Sequence, residues 1–124
     1  MSASADSFYE SWSARMGAAK ARAPEIGKAF APFFQGLMRD SGDGGLSAKH
    51  KELIALGIGV AVRCDHCIYT HVEKCLKLGA TPKEVMDAVG VAVMMGGGPA
   101  YTYLAVVAEA LEHFEQHPIE PVRA

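Results

Sequence analysis

The sequence has few cysteines and no run of basic residues, and these two absences exclude two classes of small protein. Its three cysteines cannot all pair within one chain, whereas a disulfide-stabilised secreted domain carries a denser and even set. Lys and Arg number 12 against 14 Asp and Glu, a net charge of −2, and they form no basic cluster of the kind that binds nucleic acid. Half of the 124 residues are hydrophobic. We therefore predict one ordered globular domain over residues 1–124 and no nucleic-acid partner.

The sequence also lacks an uninterrupted apolar segment that would predict a membrane span. The longest uncharged stretch, 88–108, has 21 residues, close to the roughly 20 that cross a bilayer. The Gly-Gly-Gly-Pro segment 96–99 divides this stretch, which favours a core helix or an oligomer interface. The first 20 residues lack the basic start and apolar centre of a signal peptide. We therefore expect no membrane partner and a cytoplasmic location.

Strand signals are scarce, and the spacing of apolar and capping residues predicts an all-α fold of six or seven helices. The predicted helices cover residues 6–20, 25–39, 48–62, 64–78, 82–95 and 100–116. Pro32 is expected to kink the second helix or to divide it in two. The Gly-Gly-Gly-Pro turn separates the last two helices, and 117–124 is predicted to be a polar tail.

Three helix boundaries carry specific signals. Ser47 is predicted to cap the third helix, and Gly79 to end the fourth. Thr81, followed by a proline and then by Glu84, has the pattern of a capping box at the start of the fifth helix.

The segment with recognisable chemistry contains Cys64, Cys67 and His71. Residues three or four apart are neighbours on a helix, so both thiols and the imidazole are predicted to share one stripe. At a helix start, the backbone amides and the helix dipole favour a thiolate. A Cys-x-x-Cys pair in that place is typical of a redox disulfide, in which one thiolate attacks and the other resolves. Cys75 lies further round the same helix and is expected to be a buried thiol.

Two other interpretations of this segment remain open. Cysteine is often only a buried apolar residue. A zinc site is the second alternative, but it needs four ligands, and Cys64, Cys67 and His71 supply three. The residues that would have to complete the set are His66, Cys75 or His50.

Glu52 is the one carboxylate near the start of an otherwise apolar helix. Lys49 and Lys51 lie beside it in the sequence, so its local context alone predicts a surface residue.

Taken together, these residues resemble the AhpD-like, carboxymuconolactone decarboxylase superfamily, in its alkyl hydroperoxidase D branch. The resemblance is carried by Glu52, the apolar run 53–56, Cys64-Asp65-His66-Cys67 and His71. Residues 46–54 resemble the family's entry into this helix, and 79–85 resemble the turn that follows the cysteine helix. The similarity covers about 46–110 and makes this region the family core, within a single-repeat domain. His66 also matches the peroxidase members.

The resemblance implies a thiol peroxidase that reduces a small hydroperoxide and has no bound cofactor or metal. Glu52 and His71 would form a proton relay that activates Cys67, and Cys64 would join Cys67 in a disulfide. An external dithiol, similar to dihydrolipoamide, would reduce this pair. Family members use lipoyl-bearing proteins or peroxiredoxin as partners, and small single-repeat members assemble as trimers or hexamers.

Two functions remain as alternatives to the peroxidase. A non-redox decarboxylase on the same fold would keep its activity after loss of both cysteines. A zinc-stabilised helical interaction module would contain stoichiometric metal.

Overall fold

A computed structural model describes residues 3–121, which form six helices and no strand. The helices are α1 Ala3–Arg22, α2 Pro24–Met38, α3 Ala48–Ala61, α4 Asp65–Lys77, α5 Pro82–Tyr101 and α6 Leu104–Gln116. The predicted all-α fold is therefore confirmed. Residues 1–2 of the predicted domain, and 122–124 of the predicted polar tail, lie outside the described residues.

The predicted helix signals at 47, 79, 81 and 84 are all found. The Ser47 side chain accepts the His50 backbone N–H at the start of α3. Thr81 and Glu84 form a complete capping box at the start of α5. Gly79 has a φ of 88°, and hydrogen bonds from Gly79 N–H to Leu76 and from Ala80 N–H to Cys75 complete a Schellman motif.

The core lies where α3, α4, α5 and α6 meet, with α3 packed most extensively on α5 and α4. Its largest fully buried side chains are Leu56, Val60, Ile68, Val72, Val85, Val89 and Val107. α1 covers one side of this core through Phe8. Burial of one such side chain contributes about 1.5–3 kcal/mol, so these contacts fix α3 against α4.

α2 differs from the other helices because none of its side chains is buried. Pro32 lies inside it without dividing it. Proline removes one backbone hydrogen bond, and an exposed helix can offer the freed carbonyl to water. Its apolar stripe, called the α2 stripe below, consists of Ile26, Phe30, Phe33 and Leu37, which are exposed in the single chain.

The predicted break at 96–99 is a kink in the backbone at Gly97, which has a φ of 71°. Pro99 then begins a further short helical stretch, so α5 continues to Tyr101 and α6 begins at Leu104 rather than at Ala100. Within residues 3–121, no helix on its own combines the length and apolar character of a membrane span. α5 and α6 meet that requirement only as a pair, and a bend of 108° separates them.

α3 and α5 together carry an exposed apolar surface, called the α3–α5 surface below. Its members are Ile54, Ile58, Val62, Val91, Met94 and Met95. Ile54 and Ile58 of α3 and Val62, the C-cap of α3, are spaced four residues apart and lie in one row. Single exposed apolar side chains are ordinary, but a contiguous set is typical of an association surface.

Candidate active site

The connection between α3 and α4 fixes the position of Cys64. Hydrogen bonds from Arg63 N–H to Val60 and from Cys64 N–H to Gly59 close a Schellman motif at the end of α3. Arg63 occupies the left-handed position with a φ of 59°, where glycine is usual and another residue costs about 1–2 kcal/mol. Cys64 is also the N-cap of α4. One residue therefore ends one helix and caps the next, which leaves its side chain little freedom.

Cys64 and Cys67 are joined by a disulfide in this structure, with their Cα atoms 5.2 Å apart. Both residues are half-buried. The Cys64 sulfur also accepts the backbone N–H of Cys67 at 3.1 Å. In the reduced protein, the same N–H and the dipole of α4 would stabilise a thiolate on Cys64.

Gly59 allows α3 to approach Cys67 closely. A Cβ atom placed on Gly59 would lie 3.1 Å from the Cβ of Cys67. From the sequence, a glycine within an apolar helix indicates close packing only in general terms. Its specific contact with the second cysteine depends on how α3 crosses α4.

The buried Glu52 and the half-buried His71 form a pair that joins α3 to α4. The Glu52 carboxylate oxygen Oε1 lies 2.6 Å from His71 Nδ1, and Glu52 is only 4% exposed. A carboxylate accepts hydrogen bonds, so Nδ1 is the donor and Nε2 of a neutral ring is left as an acceptor. His71 lies one helical turn after Cys67 on α4.

The interpretation of Glu52 from its local context, as a surface residue, is therefore wrong. Lys49 forms an ion pair with Glu84 at 3.0 Å. Lys51 donates to the backbone carbonyls of Leu37 and Arg39. Both lysines are thus engaged elsewhere, and Glu52 faces α4 instead of solvent.

Cys75 is buried in the core and forms no disulfide, as predicted. Burial raises the pKa of its thiol to about 12, and the charges of Glu52 and Glu84 act in the same direction. This thiol therefore remains protonated at neutral pH and is a poor nucleophile.

The zinc set considered from the sequence is not assembled here. The sulfurs of Cys64 and Cys67 are bonded to each other. His50 lies in the first turn of α3, whereas Cys64 follows its far end, and a 14-residue helix is about 21 Å long. The Nδ1 atom of His50 is within 2.6 Å of the Ser47 hydroxyl instead.

His66 lies on the outer side of α4 and packs against α1. Its ring centroid is 4.9 Å from that of Trp12 and 5.7 Å from that of Phe8. The structure thus brings Glu52, His71 and the cysteine segment together, and it places His66 against an aromatic wall from α1.

α1 contributes more to the site than its sequence indicated. The Tyr9 hydroxyl donates to the backbone carbonyl of Tyr69 on α4, and burial raises the pKa of Tyr9. In the sequence, Phe8, Trp12 and Met16 are spaced four residues apart. Such spacing indicates one apolar helix face but does not identify what that face contacts.

An open cavity of about 970 Å³ lies between α1, α2 and α4 and reaches His71. Aromatic and apolar side chains line its walls: Phe8, Tyr9, Trp12, Met16, Phe30 and Phe34. Lys20, Lys28, Lys74 and Lys77 also line it. Its size and lining suit a small organic molecule with an apolar body.

The sequence matches the carboxymuconolactone decarboxylase family over residues 24–110. An uncharacterised protein of Cupriavidus necator is 36% identical over 83 residues, which is 66% of this chain and 71% of that protein. A protein of Haemophilus influenzae is 35% identical over 107 residues, or 83% of this chain and 95% of its own. The chain belongs to the carboxymuconolactone decarboxylase family. The match begins at residue 24, before the expected start at residue 46, and therefore includes α2.

Solved structures show the same architecture. The apo form of a carboxymuconolactone decarboxylase family protein from Legionella pneumophila matches with a TM-score of 0.81 and 34% identity, over 91% of this chain and 98% of that one. A family protein from Thermotoga maritima, for which an involvement in the antioxidative response has been suggested, matches with a TM-score of 0.66 and 30% identity. That match covers 73% of this chain and 90% of the other.

Proposed function

We propose that this member of the carboxymuconolactone decarboxylase family is a thiol peroxidase of the alkyl hydroperoxidase D type. The observation that carries the proposal is the contact of 2.6 Å between the buried Glu52 and the half-buried His71, one turn along α4 from a Cys-x-x-Cys disulfide. A carboxylate–imidazole pair beside a thiol is the arrangement of an activated cysteine nucleophile. The antioxidative role suggested for the Thermotoga maritima relative agrees with this chemistry.

In the proposed oxidation, His71 accepts the thiol proton of Cys67 through Nε2, and Glu52 stabilises the charged ring. The Cys67 thiolate attacks the terminal oxygen of the hydroperoxide, and the O–O bond breaks. Cys67 becomes a sulfenic acid and the peroxide leaves as an alcohol, with the proton held by His71 completing the balance.

Cys64 then resolves the sulfenic acid. Its sulfur attacks that of Cys67, the S–O bond breaks, and water leaves as the disulfide forms. An external dithiol reduces the disulfide by exchange and is itself oxidised to a disulfide. The contact between the Cys64 sulfur and the Cys67 N–H suits Cys64 to leave as a thiolate in that exchange.

The cavity that reaches His71 supports an organic hydroperoxide as the substrate. The proposed reductant is a dihydrolipoamide-like dithiol carried by a lipoyl protein, or a peroxiredoxin, and no bound cofactor or metal takes part. The exposed α2 stripe and the α3–α5 surface support a homotrimer or homohexamer. The proposed location is the cytoplasm.

The test is consumption of an alkyl hydroperoxide by the purified protein in the presence of a dithiol. We expect turnover by the wild type and by Cys75→Ser, the matched control, and none by Cys67→Ser. Peroxide turnover that survives in Cys67→Ser would contradict the proposal. Lactone decarboxylation that survives loss of both Cys64 and Cys67 would assign the non-redox function instead.

A further inference from the structure

A second cluster of chemically active side chains lies where the two ends of the domain meet. Asp6 of α1 contacts His113 of α6, with Oδ1 and Nδ1 2.6 Å apart. His117 follows one turn later, and its ring stacks on that of His113 with centroids 4.4 Å apart. Ligand atoms from these three residues all lie within 4.8 Å of one another. The proposed peroxidase chemistry uses none of them.

Hydrogen bonds identify the protonated nitrogen of each imidazole. His113 Nδ1 forms a hydrogen bond with the Asp6 carboxylate, and His117 Nδ1 forms one of 3.0 Å with the backbone carbonyl of His113. Carboxylates and carbonyls only accept, so each Nδ1 carries the proton in the metal-free protein. An ion bound by both Asp6 and His113 would take the place of the proton that these two residues share. In His117, the hydrogen bond from Nδ1–H to the carbonyl leaves Nε2 free to bind the ion, as is typical of ligating histidines.

We propose that Asp6, His113 and His117 bind a divalent transition-metal ion of the zinc class. Imidazole ligands favour zinc, copper or nickel over magnesium and calcium, which prefer oxygen. Zinc holds each nitrogen at about 2.0–2.1 Å, so two of its ligands are at most about 4.2 Å apart. The ligand atoms of the three residues lie within 4.8 Å of one another, close to this maximum. His117 is exposed at the end of α6, so rotation of its side chain can shorten its distance to the other two ligand atoms.

The surroundings of the cluster leave room for an ion and for further ligands. A surface cavity of about 640 Å³ is lined by Asp6, Tyr9, Glu10, His113, Gln116 and His117. Three protein ligands with open positions are usual for accessible zinc. α1 supplies Asp6, α6 supplies His113, and His117 is the C-cap of α6. A bound ion would therefore join the first helix of the described residues to the last.

The experiment is a calorimetric titration of metal-free, fully oxidised protein with Zn²⁺ alone. In the oxidised state, the Cys64–Cys67 disulfide cannot ligate the ion. We expect one Zn²⁺ per chain, and an affinity at least about 10-fold lower in His117→Ala and in Asp6→Asn. His50→Ala is the matched control, because it removes an exposed histidine that is not part of the cluster, and it should bind as the wild type does.

A thermal melt with and without Zn²⁺ gives a second readout that is independent of peroxide turnover. Ligand that binds only the folded state raises the melting temperature. The wild type and His50→Ala should show this rise, whereas His117→Ala should not. Absence of both binding heat and a melting shift in the wild type would overturn the proposal, as would equal affinity in wild type and His117→Ala.

Discussion

His71 Nδ1 and Glu52 Oε1 lie 2.6 Å apart across the contact between α3 and α4. The contact depends on two helices that are joined by a single tight turn, whose last residue is Cys64. Movement of α3 relative to α4 would therefore change the Glu52–His71 distance and the cysteine geometry together.

The three thiols should differ sharply in reactivity once the protein is reduced. With a pKa of about 12, only about 10⁻⁵ of Cys75 is ionised at pH 7, against a few per cent of an ordinary thiol. Brief alkylation of the folded protein should therefore label Cys64 and Cys67, and Cys75 only after denaturation. Peptide mapping by mass spectrometry measures this. A mild peroxide treatment that cross-links Cys75 to either partner as the main product would contradict the assignment.

Gly59→Ala should disturb the site although it adds only one methyl group. The new Cβ would lie 3.1 Å from the Cβ of Cys67, and such overpacking costs about 1–3 kcal/mol. Alanine recovers up to about 1 kcal/mol through helix propensity. We expect a lower free energy of unfolding in urea and slower disulfide formation.

Gly17→Ala is the matched control for Gly59→Ala. Gly17 lies within α1, and an added Cβ would meet nothing within 4 Å. It should therefore gain up to about 1 kcal/mol of stability. Equal stabilisation of both variants would show that a Cβ at position 59 does not crowd Cys67.

Glu84 should contribute to acid sensitivity. The Thr81 backbone N–H and then Lys49 lower the pKa of Glu84 by hydrogen bonding to its carboxylate. A depressed folded-state pKa gives stability that is present above the unfolded value of about 4.3 and is lost as the pH falls through the folded value.

Glu84→Gln isolates this charge, because glutamine also serves in a capping box. Urea unfolding at a series of pH values should show that the free energy of unfolding falls less below about pH 4.3 in the variant than in the wild type. Glu115→Gln, at an exposed position of α6, is the control. If the free energy of unfolding depends on pH in the same way in the wild type and in Glu84→Gln, Glu84 does not contribute to acid sensitivity.

The α3–α5 surface should be covered by another copy of the chain. In the single chain, Ile58 is 58% exposed and Met94 is 71% exposed, although both are large apolar side chains of this surface. Light scattering at micromolar concentration should give a trimer or a hexamer, and Ile58→Glu should shift it towards smaller species because it places a charge in the interface. A wild-type monomer at that concentration would refute this assembly.

Local signals predicted the fold better than they predicted the site. Ser47, Gly79 and Thr81 act on their own helix ends, so their roles follow from neighbouring residues. The start of α6 was misplaced because Pro99 begins a short helical stretch before the larger bend. Glu52 and Gly59 could not be placed from local context, since their partners lie on another helix. Asp6 and His113 are likewise joined only by tertiary packing, 107 residues apart.

The most direct measurement of the central claim is the rate at which an alkyl hydroperoxide oxidises Cys67 in wild type and Glu52→Gln. General base catalysis contributes about 10²–10⁴, so the variant should be about 100-fold slower or worse at neutral pH. An ordinary thiol has a pKa of about 8.5, so the deficit should shrink as hydroxide removes the proton unaided at higher pH. Glu115→Gln should match the wild type throughout. Equal rates at pH 7, in a Glu52→Gln variant that is folded and has the oligomeric state of the wild type, would contradict the relay.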